Sequence, residues 1–210
     1  MGLISLLFSN PVLFIILAVV LLYSIILHEV AHGWVAHLFG DDTALHYGRL
    51  TLNPAPHLDP IGALMLFLVG FGWARPVPVN YSSFSNTRFG LFCVALAGCL
   101  TNIVIAVTAL ILLQFSLFNS NSVLSATLPI VIKINIILGA FNLIPIPPLD
   151  GSKILMSFLP YRAQEGLSRL EPYGFFILVL LLFTGLLNPA ITFMENLIYG
   201  GIGFLFSFFR

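Results

Sequence analysis

Charge is what this sequence has least of. Only 8% of its 210 residues are charged, 8 Lys/Arg against 8 Asp/Glu, about a third of the ~25% that an ordinary soluble domain carries. So few charges do not cover a water-facing surface, which excludes a cytosolic or secreted globular protein and a disordered chain. The balance is zero, so no nucleic acid or other polyanion is implied as a partner. Cysteine is scarce as well. Cys93 and Cys99 lie six apart in one apolar run, on different faces of a helix, and are expected as small buried hydrophobes rather than a disulfide. A basic n-region and a small-residue cleavage site are missing from the N-terminus, so no removable leader is expected. What is abundant is hydrophobic surface, with 59% apolar residues and a mean hydropathy of +1.06. The lipid bilayer is the solvent for most of this chain, and a single integral membrane domain over 1–210 is expected.

The apolar runs give the layout. Pro11 suits the first turn of a helix capped by Asn10, and the helical pattern runs past His28 to Leu38 and stops at Gly40. Twenty-eight residues span roughly 42 Å, enough to cross a ~30 Å hydrocarbon core. Gly48 to Pro54 alternates between turn residues and suggests a short strand or hairpin. Ile61 to Trp73 is apolar but too short to span, which suggests a re-entrant helix, and Arg75-Pro76-Val77-Pro78-Val79-Asn80 is extended because its prolines forbid helix. Phe89–Leu113 and Leu128–Ile144 are the next spans, joined by an uncharged loop over 115–126. Residues 150–172 read as one or two amphipathic helices, and Tyr173–Leu187 and Ala190–Phe209 as the last membrane segments. The fold class is therefore membrane all-α, a polytopic bundle of five or six transmembrane segments. Arg49, Arg75 and Arg88 on one loop, and Lys153, Arg162 and Arg169 on another, place 40–88 and 150–172 on the cytoplasmic side of the cell membrane. The hairpin and re-entrant region then lie on that side, and His28 lies inside the membrane towards it.

His28-Glu29-Val30-Ala31-His32 is an H-E-x-x-H motif. Residues four apart share a helix face, so two imidazoles can hold one cation while the adjacent carboxylate reaches a bound water. Ionisable groups in lipid are costly and need a reason. A catalytic zinc takes three protein ligands, so a third is required at the same depth. Lys133 does not ligate while protonated and is placed to snorkel to the headgroups. Glu195 has no special surroundings. Asp150 follows the helix-breaking Pro145-Ile146-Pro147-Pro148 and could be aimed at the site, or could simply cap the next helix.

An embedded H-E-x-x-H followed by Asn142-Leu143-Ile144-Pro145-Ile146-Pro147-Pro148-Leu149-Asp150-Gly151 resembles the site-2 protease family of zinc intramembrane metalloproteases, in its compact form without PDZ or CBS domains. Asn53-Pro54-Ala55-Pro56-His57-Leu58-Asp59-Pro60-Ile61-Gly62 and Gly72-Trp73-Ala74-Arg75-Pro76-Val77-Pro78-Val79-Asn80 extend the resemblance. It implies a three-helix catalytic core, about 11–158, followed by C-terminal membrane segments over about 173–209. It also implies Zn2+ held by His28, His32 and Asp150, with Glu29 as general base. The reaction would be hydrolysis of a peptide bond in or near the transmembrane helix of a membrane-protein substrate. Such a helix must unwind first, and the 48–54 segment would offer it an edge to pair with. Gly98-Cys99-Leu100-Thr101-Asn102 resembles the family's G-P-x-x-N, with Cys99 in place of proline. Asn102 would then bind substrate or the developing oxyanion, or else serve as interhelical glue. His57 would bind substrate at the rim or play an interfacial structural part. Asn135 and Asn142 would line a water path to the metal. With no room for a sensing domain, regulation would fall to a membrane partner, a homo-oligomer or the substrate itself. A zinc transporter could use the same cluster but calls for repeated halves, which the sequence lacks. A dead scaffold would not need Glu29.

Overall fold

The computed structural model describes residues 3–69, 72–84, 86–114 and 122–207. In order these form helices α1 (Leu3–Ser9), α2 (Pro11–Leu38), α3 (Thr43–His46), α4 (Pro60–Val69), α5 (Thr87–Gln114), α6 (Ser122–Asn142), α7 (Asp150–Phe158), α8 (Tyr161–Ser168), α9 (Glu171–Phe183) and α10 (Asn188–Ser207). A 3-10 turn at Tyr81–Ser83 precedes α5. Helix α2 begins and ends where its sequence says. Asn10 accepts the Leu13 amide at 3.1 Å, Pro11 takes the first position, and Gly40 leaves the helix at φ +94, a conformation that favours glycine.

Among the described residues four helices, α2, α5, α6 and α10, are long and apolar enough to cross a membrane. A fifth crossing exists if α8 and α9, bent by 64° at their junction, act as one broken span. The expectation of five or six segments thus becomes four or five. Length and composition make the chain a multi-pass membrane protein, and its exposed Leu, Ile, Phe and Val side chains are the surface lipid covers.

Helix α5 lies at the centre and packs on α2, α6 and α7. Its buried positions are small: Ala95, Ala97, Gly98, Cys99, Ala106 and Ala109. Without a hydrophobic drive between helices in lipid, small residues permit the close approach that packing requires. Ala106 and Ala109 meet Leu128, Ile132, Ile136 and Ala140 of α6 and Ile198 and Ile202 of α10 in the main apolar cluster. A second cluster, Ile144, Leu149, Leu178 and Leu187, anchors the break after α6 against the C-terminal helices. That break contains a cis Pro147–Pro148 peptide bond.

Three sequence expectations need correction. No strand forms over 48–54; the only bridge among the described residues is an isolated antiparallel one between Leu58 and Ala74. Local side-chain bonds fold the segment on itself instead. Thr51 Oγ1 accepts the Asn53 amide, Asn53 Oδ1 accepts the Ala55 amide, and His57 Nε2 donates to the Thr51 carbonyl, a competition with sheet pairing that Asn and Thr are suited to win. The expected hairpin is thus not formed over 48–54. Second, α6 starts at Ser122, ahead of the expected Leu128. In its first turns the helix accommodates a hydroxyl by letting Thr127 Oγ1 donate to the Val123 carbonyl four residues back. Residues 115–121 of the expected loop lie outside the described residues. Third, the expected membrane segment Tyr173–Leu187 is the 13-residue helix α9 (Glu171–Phe183), a candidate span only together with α8.

The extended segment Arg75–Asn80 runs alongside α2 and is tied at two points. The Val77 amide donates to Glu29 Oε2 at 2.8 Å, and the Asn80 amide donates to Asp41 Oδ2 at 2.6 Å. Asp41 is 2% exposed and also accepts the amide and hydroxyl of Thr43. Burial pushes its carboxyl up, but these three hydrogen bonds outweigh it and hold the group below the usual carboxylate range.

Candidate metal centre

His28 and His32 stand one turn apart on the buried face of α2. His32 Nδ1 is 2.6 Å from the Val94 carbonyl of α5. A carbonyl only accepts, so Nδ1 carries the proton. His28 Nδ1 is 2.6 Å from Asn102 Oδ1, likewise an acceptor. In the neutral rings both Nε2 atoms are then bare lone pairs, and they face each other at 3.0 Å.

Asp150, the first residue of α7, completes the group. Its Oδ2 is 3.0 Å from His28 Nε2 and 3.2 Å from His32 Nε2. Helix α7 is steadied beside the site by Lys153, whose Nζ stands 5.3 Å from the centroid of the Tyr81 ring. Cys99 Sγ, where the family pattern has proline, lies 4.0 Å from Asp150 Oδ2 as a weak donor.

With both rings neutral, three electron-pair donors converge with no hydrogen between them, an arrangement suited to a cation. The donor set, two imidazoles and one carboxylate, is the kind that holds catalytic zinc with a fourth position open. Tetrahedral ligands at about 2.0–2.1 Å from zinc lie roughly 3.4 Å apart, and the observed edges of 3.0 to 3.2 Å are close to that. His28, His32 and Asp150 are the group of titratable side chains, among the described residues, that could hold a metal ion.

Gly98 leaves room for it. A Cβ there would lie 2.6 Å from His28 Nε2 and 2.5 Å from its Cε1, and would collide with His32 Nε2. The α5 backbone passes directly over the two rings, and glycine is what permits the approach. Glu29 sits next to His28, half-buried, with Oε2 held by Val77.

The remaining expected residues are placed as follows. Asn102 is 0% exposed. Its oxygen is on His28, and its nitrogen donates to Asn135 Oδ1 at 2.9 Å and lies 3.5 Å from the Ser24 carbonyl. Asn135, expected on a water path, is also fully buried and bonded to Asn102, Ser24 and Val131. Asn142 turns its amide back to the Leu138 carbonyl of its own helix at 3.1 Å. His57 is buried in the 51–58 loop, with Nε2 on the Thr51 carbonyl and Nδ1 without a protein partner. None of these belongs to the three-ligand cluster. Sequence reasoning passed over Gly98 as a space-maker, the Val94 carbonyl and Ser24. Only Gly98 carried a signal, as the first letter of its motif.

Comparison with known proteins agrees with this chemistry. The model of peptidase family M50 matches residues 118–185. YwhC of Bacillus subtilis (strain 168), named as a zinc metalloprotease, is 40% identical over 177 residues, covering 81% of each chain. Rip2 of Mycolicibacterium smegmatis, also named so, is 31% identical over 172 residues, which are 80% of this chain and 66% of that one. The solved site-2 protease of Methanocaldococcus jannaschii is 22% identical, with a TM-score of 0.47 over 96% of this chain and 82% of that one. With relatives at this level of identity and coverage, the chain belongs to the M50, or site-2 protease, family of zinc metalloproteases.

Proposed function

We propose that the chain is an intramembrane endopeptidase in which His28, His32 and Asp150 hold zinc and Glu29 is the general base. The observation that carries this is the triangle of His28 Nε2, His32 Nε2 and Asp150 Oδ2. Zinc held by His28, His32 and Asp150 would supply Lewis acidity, which polarises a carbonyl and brings the pKa of a bound water to about 7. The protein's own residues do the rest. The Val77 amide holds Glu29 Oε2, which orients the carboxylate and leaves Oε1 for proton transfer. Glu29 takes a proton from the attacking water and delivers it to the leaving amine nitrogen. Asp150 offsets positive charge in a site where an unpaired ion is costly.

The substrate is a membrane-protein helix. Its carbonyls are tied in i→i−4 bonds, so the segment to be cut has to unwind first. Four or five helices among the described residues are apolar and long enough to cross a membrane, and the basic residues Arg49, Arg75, Arg88, Lys153, Arg162 and Arg169 orient the protein with the site towards the cytoplasmic face of the cell membrane.

The test is cleavage of a transmembrane-helix substrate by purified protein in detergent or proteoliposomes, wild type against Glu29→Gln. The variant is expected to keep zinc and lose cleavage. Retained proteolysis would refute Glu29 as the base, and zinc flux into liposomes would point to transport instead.

A further inference from the structure

Asn135 lies on α6, away from the ligands, yet its amide ends a chain of hydrogen bonds that reaches one of them. The chain has a direction set at its far end. The Val131 carbonyl can only accept, so the group facing it at 2.9 Å is Asn135 Nδ2. The same nitrogen donates to Ser24 Oγ at 2.9 Å. That leaves Asn135 Oδ1 to face Asn102, where it accepts from Nδ2 at 2.9 Å. Asn102 Nδ2 is held on that side, so Asn102 Oδ1 faces His28 Nδ1 at 2.6 Å. An amide oxygen accepts, the ring must donate, and a neutral imidazole has one proton to place. It is therefore on Nδ1, and Nε2 is free.

We propose that Asn135 is a positioning residue for the metal site, which through Asn102 locks His28 in the tautomer that presents a bare Nε2. This rests on the proposal that His28 ligates zinc. Asn102 alone does not achieve it, because an amide has a donor end and an acceptor end. Turned over, it would present its N–H to His28 Nδ1, drive the ring proton to Nε2 and close the ligand position. Asn135 makes that turn unfavourable, since the Asn102 oxygen would then confront Asn135 Oδ1, two acceptors with no hydrogen between them in a dry space. Both asparagines are 0% exposed, so water does not relieve the mismatch. Partners of this kind fix ligand orientation and are commonly worth 10–100-fold in metal affinity.

A plain packing role would also make Asn135 sensitive to substitution, so the test uses a second site. Zinc affinity is measured on purified protein in detergent by competition with a chromophoric chelator, for wild type, Asn135→Leu, Asn102→Asp, and the two changes combined. The single variant is expected to bind zinc about 10-fold or more weakly. The double variant is expected to bind zinc as tightly as Asn102→Asp alone, because both carboxylate oxygens accept and the His28 proton is held on Nδ1 whatever lies behind. Asn102→Asp alone is the reference for the double variant, because a carboxylate on His28 Nδ1 raises zinc affinity by itself; a packing defect at 135 would cost as much in that background as in wild type. Asn135→Ala replaces the leucine if that variant does not fold. The proposal is overturned if Asn135→Leu binds zinc like wild type, or if the double falls as far below Asn102→Asp as Asn135→Leu falls below wild type. Wild-type protein that takes up no zinc would overturn the metal site itself, a failure visible before any variant is compared.

Discussion

Replacing Gly98 by alanine tests the metal centre through geometry alone, without touching a ligand. The added methyl would lie 2.6 Å from His28 Nε2, where ordinary contact begins at 3.4 Å. The ring or the helix therefore has to move by about 0.8 Å, several times the ±0.2 Å tolerance of a metal–ligand bond. His32 Nε2 is crowded by the same atom, so two of three ligands are displaced at once, and the methyl occupies space on the metal's side of the rings. Misplacement on the 1 Å scale costs about 100-fold in catalysis, and the same loss or more is expected in zinc affinity. Folding should not suffer in proportion, because alanine favours a helix interior over glycine by about 1 kcal/mol. The assay pairs zinc per chain, by elemental analysis of purified protein, with circular dichroism and cleavage of a transmembrane substrate. The expected result is a folded helical protein with little zinc and no activity. A Gly98→Ala protein holding one zinc per chain at wild-type affinity would refute the placement of the metal beneath α5.

Other outcomes follow from the same geometry. Asp150→Asn should lose zinc by more than the 10–100-fold that outer partners cost, and cleavage with it; chelator competition measures the first and a gel assay the second. Removing zinc with a chelator should lower the melting temperature of the detergent-solubilised protein, because free zinc at 100 times its dissociation constant contributes about 2.7 kcal/mol to the folded state; an unchanged melting curve would contradict binding by the folded chain. Asp41 has a pH signature. Its folded carboxyl titrates below the ordinary range, so its contribution is full above the unfolded pKa of about 3.9 and is lost as pH falls through the lower folded value. Asp41→Asn should thus be less stable than wild type at neutral pH, with the gap closing under acid, as followed by denaturation at stepped pH.

Much of this site could be read in advance because two of its parts have short-range signatures. H-E-x-x-H works through helix periodicity, and α2 presents His28 and His32 as the spacing requires. Asp150 could be picked out because a carboxylate after a proline break in an apolar chain needs a reason. The bounds of α2, α5 and α10 followed from apolar runs, whereas α6 begins in a Ser- and Thr-bearing stretch that looks like a loop on paper and α9 is a 13-residue helix bent from α8. The hairpin failed for the converse reason: alternation over 48–54 looks like a strand until Thr51, Asn53 and His57 close local bonds around it. Asn135 was out of reach of any linear reading. Its part depends on meeting Asn102, 33 positions away, and Ser24, 111 positions away, and on which end of each amide faces which neighbour.

The three proposed ligands come from opposite ends of the core, two from α2 and one from the start of α7, with α5 and α6 between them in the chain. No nascent fragment that stops before residue 150 carries all three. During synthesis the first helix must therefore sit in the bilayer with its histidines and Glu29 unassembled while two further spans insert and pack. With the proposed ligand set, zinc binding and cleavage both wait until the break after α6 delivers Asp150. A protease that works among transmembrane helices is in this way kept inert while its own helices are still arriving.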